Sequence, residues 1–358
     1  MKTKIYELGS AFDTTKIEEA GAIIRQGGLV AFPTETVYGL GGDALNTFSA
    51  ERIYAAKGRP ADNPLIIHLC RTDDAAMIAD DIPDLFYILA EKFWPGPLTM
   101  ILKKSARVPA STTGGLETVA MRMPDHAVAL GLINAAGGFI AAPSANLSGR
   151  PSPTVCKYVV EDMNGRIDMI LDGGQTEIGL ESTILDLSGL EPEILRPGAI
   201  TQAMLAPFID TLAEAENNSA GPPRAPGMMY RHYAPKGFMQ IIKGEEKAVI
   251  SFINENIIKD RANNLITGVI ASLQTSPHYH ADIVKSIGSR LNDEEIAHSL
   301  YRILREFDDE KADVIYSEAF SDQGMGQAIM NRLLKASSNQ VICLPIKDED
   351  SAGFVVQT

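Results

Sequence analysis

The sequence predicts an α/β protein in three parts: a twisted mixed sheet over residues 1–210, a linker over 211–237 and a smaller Rossmann-like α/β unit over 238–358. Three observations carry this expectation. Through the first part, short apolar runs bounded by Gly, Pro and Asn recur. Some are separated by helical patterns and some are directly consecutive, which favours a mixed sheet over a purely doubly wound one. From Glu214 to Gly227 the composition turns to that of a linker, with Gly221-Pro222-Pro223 inside it. Beyond it, strand and helix patterns alternate. A chain of 358 residues is long enough for two such units.

In chain order, Thr14 to Gln26 reads as a helix, with Ile17, Ala20, Ile23 and Ile24 at helical spacing and Gly27-Gly28 as its stop. A strand at 29–32 breaks at Pro33 and runs into the hydroxyl-rich Thr34-Glu35-Thr36 turn. A helix at 49–57 and a strand at 65–69 follow, then helices at 73–79 and 83–93. Trp94-Pro95-Gly96-Pro97 is a stiff turn before a strand at 98–102. Strands are expected at 118–122, 139–142, 168–171, 182–187 and 193–196, and helices at 124–136 and 154–163. In the last part, strands are expected at 239–242, 265–272, 313–317 and 340–344, with helices at 246–259, 293–308 and 326–336.

Bulk properties narrow the function classes. The formal net charge of -14 argues against a surface devoted to nucleic acid, though not against one local basic face. Three distant cysteines, Cys70, Cys156 and Cys343, give neither a disulfide framework nor a zinc spacing, and read as reduced, mostly buried thiols. No signal-peptide pattern and no run near the ~20 apolar residues of a membrane span occurs, so a cytoplasmic chain with no membrane role is expected.

No phosphate-loop, HExxH or GxSxG pattern appears. Gly324-Met325-Gly326 lacks the third glycine of a dinucleotide fingerprint and reads as a helix-starting turn shaped for packing. His278 and His280 read as exposed loop residues. The polar candidates lie instead at strand ends. Lys57 and Arg59 flank a glycine where a helix ends, a place where cations also suit the helix dipole. Arg122 and Arg196 end apolar strands shortly before prolines, and buried strand ends rarely carry arginine without an anion. Four converging cations would suit a polyphosphate plus a carboxylate. The Ser144-Ala145-Asn146-Leu147-Ser148-Gly149 loop reads equally as a phosphate cradle or a capped turn.

Taken together, PTETVYGLG, KGRPADNPL, MRMPDH, AAPSANLSGRPSPT, ESTILD and LRPGAI resemble the YrdC-like domain. APGMMYRHYAP and the second unit resemble the long form of the L-threonylcarbamoyladenylate synthases. The ordered match spans about residues 10 to 345. The resemblance implies a nucleotidyltransferase that joins L-threonine, bicarbonate or CO2 and ATP into threonylcarbamoyl-AMP, releasing pyrophosphate, for tRNA threonylcarbamoyladenosine formation with partner proteins. It implies Mg²⁺ carried by ATP, no protein-ligated metal, and weak RNA binding as a further contact. By the same resemblance, Lys57 and Arg59 would be catalytic. Thr36, His68, Arg122, Ala142 and Ser182 would hold threonine, with Arg122 on its carboxylate. Lys57, Arg59, Asn63, Ser144, Asn146, Ser152 and Arg196 would line ATP, with Thr118 at the edge, and His232 and Tyr233 would close from the linker. Two rivals stand beside this: an RNA-docking module, and carbamoyl transfer as in larger hydrogenase-maturation proteins, whose zinc-finger and acylphosphatase segments are absent here.

Overall fold

Apolar β-branched runs and helical spacing divide the chain between two sheets. The computed structural model describes residues 2–8, 13–214, 224–226 and 232–345. The expectations for linker residues 215–223 and 227–231 and for the last thirteen residues therefore lie outside the described residues.

The first unit contains β1 (Lys4–Glu7), α1 (Thr14–Arg25), β2 (Val30–Phe32), β3 (Gly39–Asp43), α2 (Thr47–Lys57), β4 (Ile66–His68), β5 (Ala79–Asp80), α3 (Asp84–Phe93), β6 (Leu98–Lys104), β7 (Thr118–Arg122), α4 (Ala127–Ala135), β8 (Ile140–Ala142), α5 (Cys156–Met163), β9 (Met169–Asp172), β10 (Thr183–Asp186), β11 (Glu193–Arg196), α6 (Gln202–Leu205) and β12 (Ala213–Glu214). Its sheet has the order β1-β9-β2-β3-β8-β4-β7-β6-β10-β11-β12, with β5 paired to β6. Parallel and antiparallel pairs mix, as expected: β4 runs parallel to β7 and antiparallel to β8.

Several local readings change: β1, β12, the short α6 and a strand at Ile283–Ser286 have no counterpart among the expected elements, and two segments differ in kind. Residues 73–79 form a short 3-10 helix at Thr72–Met77 and then β5, because Ala79 pairs with Lys104 instead of extending the helix. The glycine-rich segment after Tyr38 is a strand, β3. Its glycines leave room for neighbouring side chains: a Cβ on Gly41 would lie 2.8 Å from Ile140 and 3.0 Å from the Phe32 ring. Strand propensity misses such a segment, since glycine is a poor strand former unless a neighbour needs the space.

The second unit holds β13 (Phe238–Lys243), α7 (Glu246–Ala262), β14 (Thr267–Ala271), β15 (Ile283–Ser286), α8 (Asp293–Asp309), β16 (Val314–Glu318), α9 (Met325–Ala336) and β17 (Val341–Cys343). Its five strands are all parallel, in the order β15-β14-β16-β13-β17. Gly324 caps α9 with φ 56°, and a Cβ on Gly326 would meet the Ser321 carbonyl oxygen at 2.4 Å, so both glycines serve the turn and its packing. Of the cysteines, Cys156 is buried, Cys70 half-buried and Cys343 exposed, which corrects the expectation of mostly buried thiols.

The units meet along α8 and α9. Val37 and Leu180 of the first unit share an apolar cluster with Tyr233 and with Leu300, Tyr301 and Leu304 of α8. The fully buried Arg305 donates to the Pro151 carbonyl oxygen at 2.8 and 3.0 Å and to both Asp162 oxygens, at 3.2 and 2.5 Å. Gly179 completes the contact with φ +84°; a Cβ there would lie 2.6 Å from the Ala297 carbonyl oxygen.

Candidate active site

Several strand ends and loops of the first unit converge on one cleft of about 620 Å³ that opens to solvent. Thr34 and residues 36–39 after β2, the β4 residue His68, the β7 end Arg122, Ala142 with the loop after β8, Ser182 before β10 and the β11 end Arg196 all line it. Arg59 reaches it from beyond α2, and Pro226, His232 and Tyr233 reach it from the linker.

The turn after β2 is built by its own hydroxyls. Thr34 Oγ1 donates to the Val37 carbonyl at 2.7 Å and accepts from the Thr36 N–H at 3.2 Å. Thr36 Oγ1 in turn accepts from Arg122 Nη1 at 3.0 Å, and Arg122 Nε donates to the Gly96 carbonyl at 3.1 Å. Arg122 Nη2 stands 2.6 Å from Glu35 Oε1, off the hydrogen-bonding angle, so the buried Glu35 carboxylate is held by charge and has no hydrogen bond among the described residues. His68 is buried beside this pair. Burial first, and then the Arg122 charge, push its pKa down to about 3, so the ring is neutral.

On the other side, Arg59 Nη2 donates to Asn63 Oδ1 at 2.6 Å and to the Pro64 carbonyl at 3.0 Å. Burial lowers its pKa to about 10. Arg196 donates to the Ser182 carbonyl, to Ser182 Oγ at 3.2 Å and to the Pro226 carbonyl at 3.2 Å, which ties the linker to β10. Tyr233, held at φ +63°, is buried and lies 5.1 Å from the Tyr301 ring of α8. His232 has an unpartnered Nε2, and burial followed by Arg59 lowers its pKa to about 4.

Of the residues expected from the sequence, Thr36, Arg59, His68, Arg122, Ala142, Ser144, Asn146, Ser152, Ser182, Arg196, His232 and Tyr233 line the cleft. Lys57, Asn63 and Thr118 do not. Lys57 is buried beside the loop after β8: its Nζ donates to the Ser144 carbonyl and, at 2.6 Å, to the Asn146 carbonyl. Burial, then Arg59, hold its pKa well below the usual lysine value. Asn63 lies beneath Arg59 as its acceptor. Thr118 starts β7 at the opposite end from Arg122, where the strand pairs with Lys103.

Sequence reasoning missed four groups. Glu35 and Glu181 bring carboxylates to a basic hollow, and Tyr301 and Arg332 come from the second unit. Glu181 accepts from Ser152 Oγ at 2.7 Å, from Tyr301 at 2.8 and 3.0 Å and from Arg332 Nε at 3.1 Å. Burial raises its pKa, but Arg332 and Arg196 outweigh that and hold it at about 2. Glu35 was visible between two threonines, and Glu181 immediately precedes Ser182. Nothing local announces Tyr301 or Arg332, because helical spacing alone explains both.

The arrangement can hold one anion at Arg122 and another between Arg59 and Arg196, with neutral hydroxyl and imidazole donors between them. Among the described residues there is no group of three or more His, Cys, Asp or Glu that could hold a metal ion.

Residues 22–198 match the Sua5/YciO/YrdC family model, described as "Telomere recombination", and residues 200–338 match "Threonylcarbamoyl-AMP synthase, C-terminal domain". The chain is 45% identical to the threonylcarbamoyl-AMP synthase of Pyrococcus abyssi, covering 95% of this chain and 99% of that one. It is also 45% identical to the Bacillus subtilis enzyme of the same name, over 91% and 94% of the two chains. The crystal structure of P. abyssi Sua5 complexed with L-threonine superposes with a TM-score of 0.91 at 44% identity, covering 96% of this chain and all of that one. The chain belongs to the threonylcarbamoyl-AMP synthase family.

Proposed function

We propose that this chain condenses L-threonine, bicarbonate or CO2 and ATP into L-threonylcarbamoyl-AMP, releasing pyrophosphate, and that the product feeds tRNA threonylcarbamoyladenosine formation through partner proteins in the cytoplasm. The observation that carries the reading is the single cleft in which Arg59, Arg122 and Arg196 meet between hydroxyl-bearing strand ends.

The chemistry asks for placement rather than for a nucleophilic side chain. The threonine amine adds to CO2 and loses a proton, giving a carbamate. A carbamate oxygen then forms a bond to the α-phosphorus of ATP as the bond from that phosphorus to the bridging oxygen breaks, and pyrophosphate leaves. Two anions must be brought together away from water, and fixed cations lower that barrier most in a dry site. Arg122, already fixed by Thr36 and Glu35, takes the threonine carboxylate, with His68, Ser182 and the Ala142 backbone around the amino acid. Arg59 and Arg196, with Ser144, Asn146 and Ser152, face the nucleotide. Lys57 holds the Ser144 and Asn146 carbonyls in place, Asn63 orients Arg59, and Thr118 stands at the outer edge.

Mg²⁺ would arrive on the triphosphate and neutralise part of its charge there. The 1–210 unit carries the cleft, the 211–237 segment closes it through His232 and Tyr233, and the 238–358 unit backs the wall. Closure would exclude water from the carbamate. RNA contact is secondary in this reading, in a chain of net charge -14. The test is pyrophosphate release from ATP with threonine and bicarbonate omitted in turn. Release that requires both supports the reading. Release that ignores threonine, or salt-sensitive RNA affinity without any release, overturns it.

A further inference from the structure

We propose that Arg332, on α9 of the second unit, is a positioning residue: it takes up the charge of Glu181 and so leaves Arg196 open to the anionic part of ATP. The inference rests on the placement of the nucleotide proposed above.

Arg332 is fully buried, and its atoms reach two strand ends of the other unit. Nε donates to Glu181 Oε2 at 3.1 Å, and Nη1 donates to the Pro197 carbonyl at 2.6 Å. Pro197 is the residue after Arg196, and Glu181 is the residue before Ser182. Arg332 therefore clamps the two positions that deliver Arg196 and Ser182 to the cleft.

Two of the three cleft arginines, Arg122 and Arg196, differ in their company. Arg122 has a carboxylate at 2.6 Å. Arg196, equally buried, donates to neutral acceptors: the Ser182 carbonyl and hydroxyl and the Pro226 carbonyl. Among the described residues no carboxylate lies within ion-pair distance of it, although Glu181 lines the same cleft. Both Glu181 oxygens are taken up elsewhere: Oε2 by Arg332 and the Tyr301 hydroxyl, Oε1 by Ser152 and the same hydroxyl.

Removing one partner of a buried ion pair leaves the other charge seeking the nearest counter-charge, whereas removing both can be close to neutral. Without Arg332, Arg196 is the cation that acts most strongly on Glu181, with Lys335 of α9 also within its field. The Arg196 guanidinium would then be occupied by an internal carboxylate that ATP has to displace.

The test is steady-state pyrophosphate release with ATP varied, for wild type, for Arg332→Met, and for Arg332→Met combined with Glu181→Gln. The single change is expected to raise the KM for ATP by about tenfold or more and the KM for threonine by less than about threefold. The double change is expected to bring the ATP value back to within about threefold of wild type, since Gln keeps acceptor oxygen for Ser152 and Tyr301 without the charge. A purely structural clamp gives no such rescue, so a double variant as poor as the single, or a threonine KM raised as far as that for ATP, overturns the inference. If Arg332→Met does not fold, the double variant decides alone by the same limits. ATP binding measured by calorimetry separates the two levels. A wild-type chain that binds ATP but makes no adenylate overturns the functional reading, whereas wild-type turnover with an unrescued double variant overturns only this assignment.

Discussion

Arg59 and Lys57 are two residues apart, yet only one faces the cleft. Arg59→Ala removes a cation proposed to meet the triphosphate, and pyrophosphate release is expected to fall by about 10²-fold or more with the melting temperature nearly unchanged. Lys57→Met is expected to lower melting temperature and activity together, because Nζ holds two loop carbonyls from within the wall. Thermal unfolding beside kinetics separates the two: a stable Lys57→Met chain of normal activity would contradict the supporting role. His68 carries a pH prediction. Its ring is neutral in the fold down to pH about 3, whereas an unfolded histidine titrates near its ordinary value of 6.5. Between those values the unfolded chain binds more protons, so His68 subtracts stability as pH falls from 6.5 toward 3 and contributes nothing above 7. Urea midpoints are expected to fall less steeply over that window in His68→Gln than in wild type, and parallel slopes would count against a neutral buried ring. At this scale the arginines stood out as cations at apolar strand ends, whereas Thr36, Ser182, His68 and His232 took their roles only from the family resemblance. The carboxylates were not legible, since Glu35 and Glu181 gain meaning only from what the fold sets opposite.

At the scale of elements, most helices and apolar strands could be read from spacing, and their ends moved by a few residues. The exceptions have local causes. β3 is hidden by its glycines, which exist for the Phe32 and Ile140 side chains. β5 and β15 are short strands with little apolar signal of their own, and each is made by its neighbour. Helix α8 shows how an amphipathic pattern conceals a second task. Its apolar stripe builds the core of its own unit, and Arg305 crosses to Asp162. Arg305→Ala would leave the buried Asp162 with Arg150 as its remaining cation. A loss of about 3–5 kcal/mol is expected in chemical denaturation; a change below about 1 kcal/mol would show that the contact between units does not depend on this pair.

For the molecule as a whole, the two units share one wall. Tyr301 and Arg332 stand behind Glu181, and Tyr233 is packed between the cleft and α8, so the second unit completes a site whose lining belongs mainly to the first. Sequence patterns located both units but not this division of labour, because contacts between units depend on how helices dock and leave no periodic trace. The central claim is that the cleft joins a carbamate of threonine to the α-phosphate of ATP. Incubation of the whole chain with ATP, threonine and ¹³C-bicarbonate, followed by mass analysis, tests it most directly. An adenylate that gains one mass unit from the label, and forms only when threonine is present, is the expected result; AMP or ADP without a labelled, threonine-containing adenylate would contradict it.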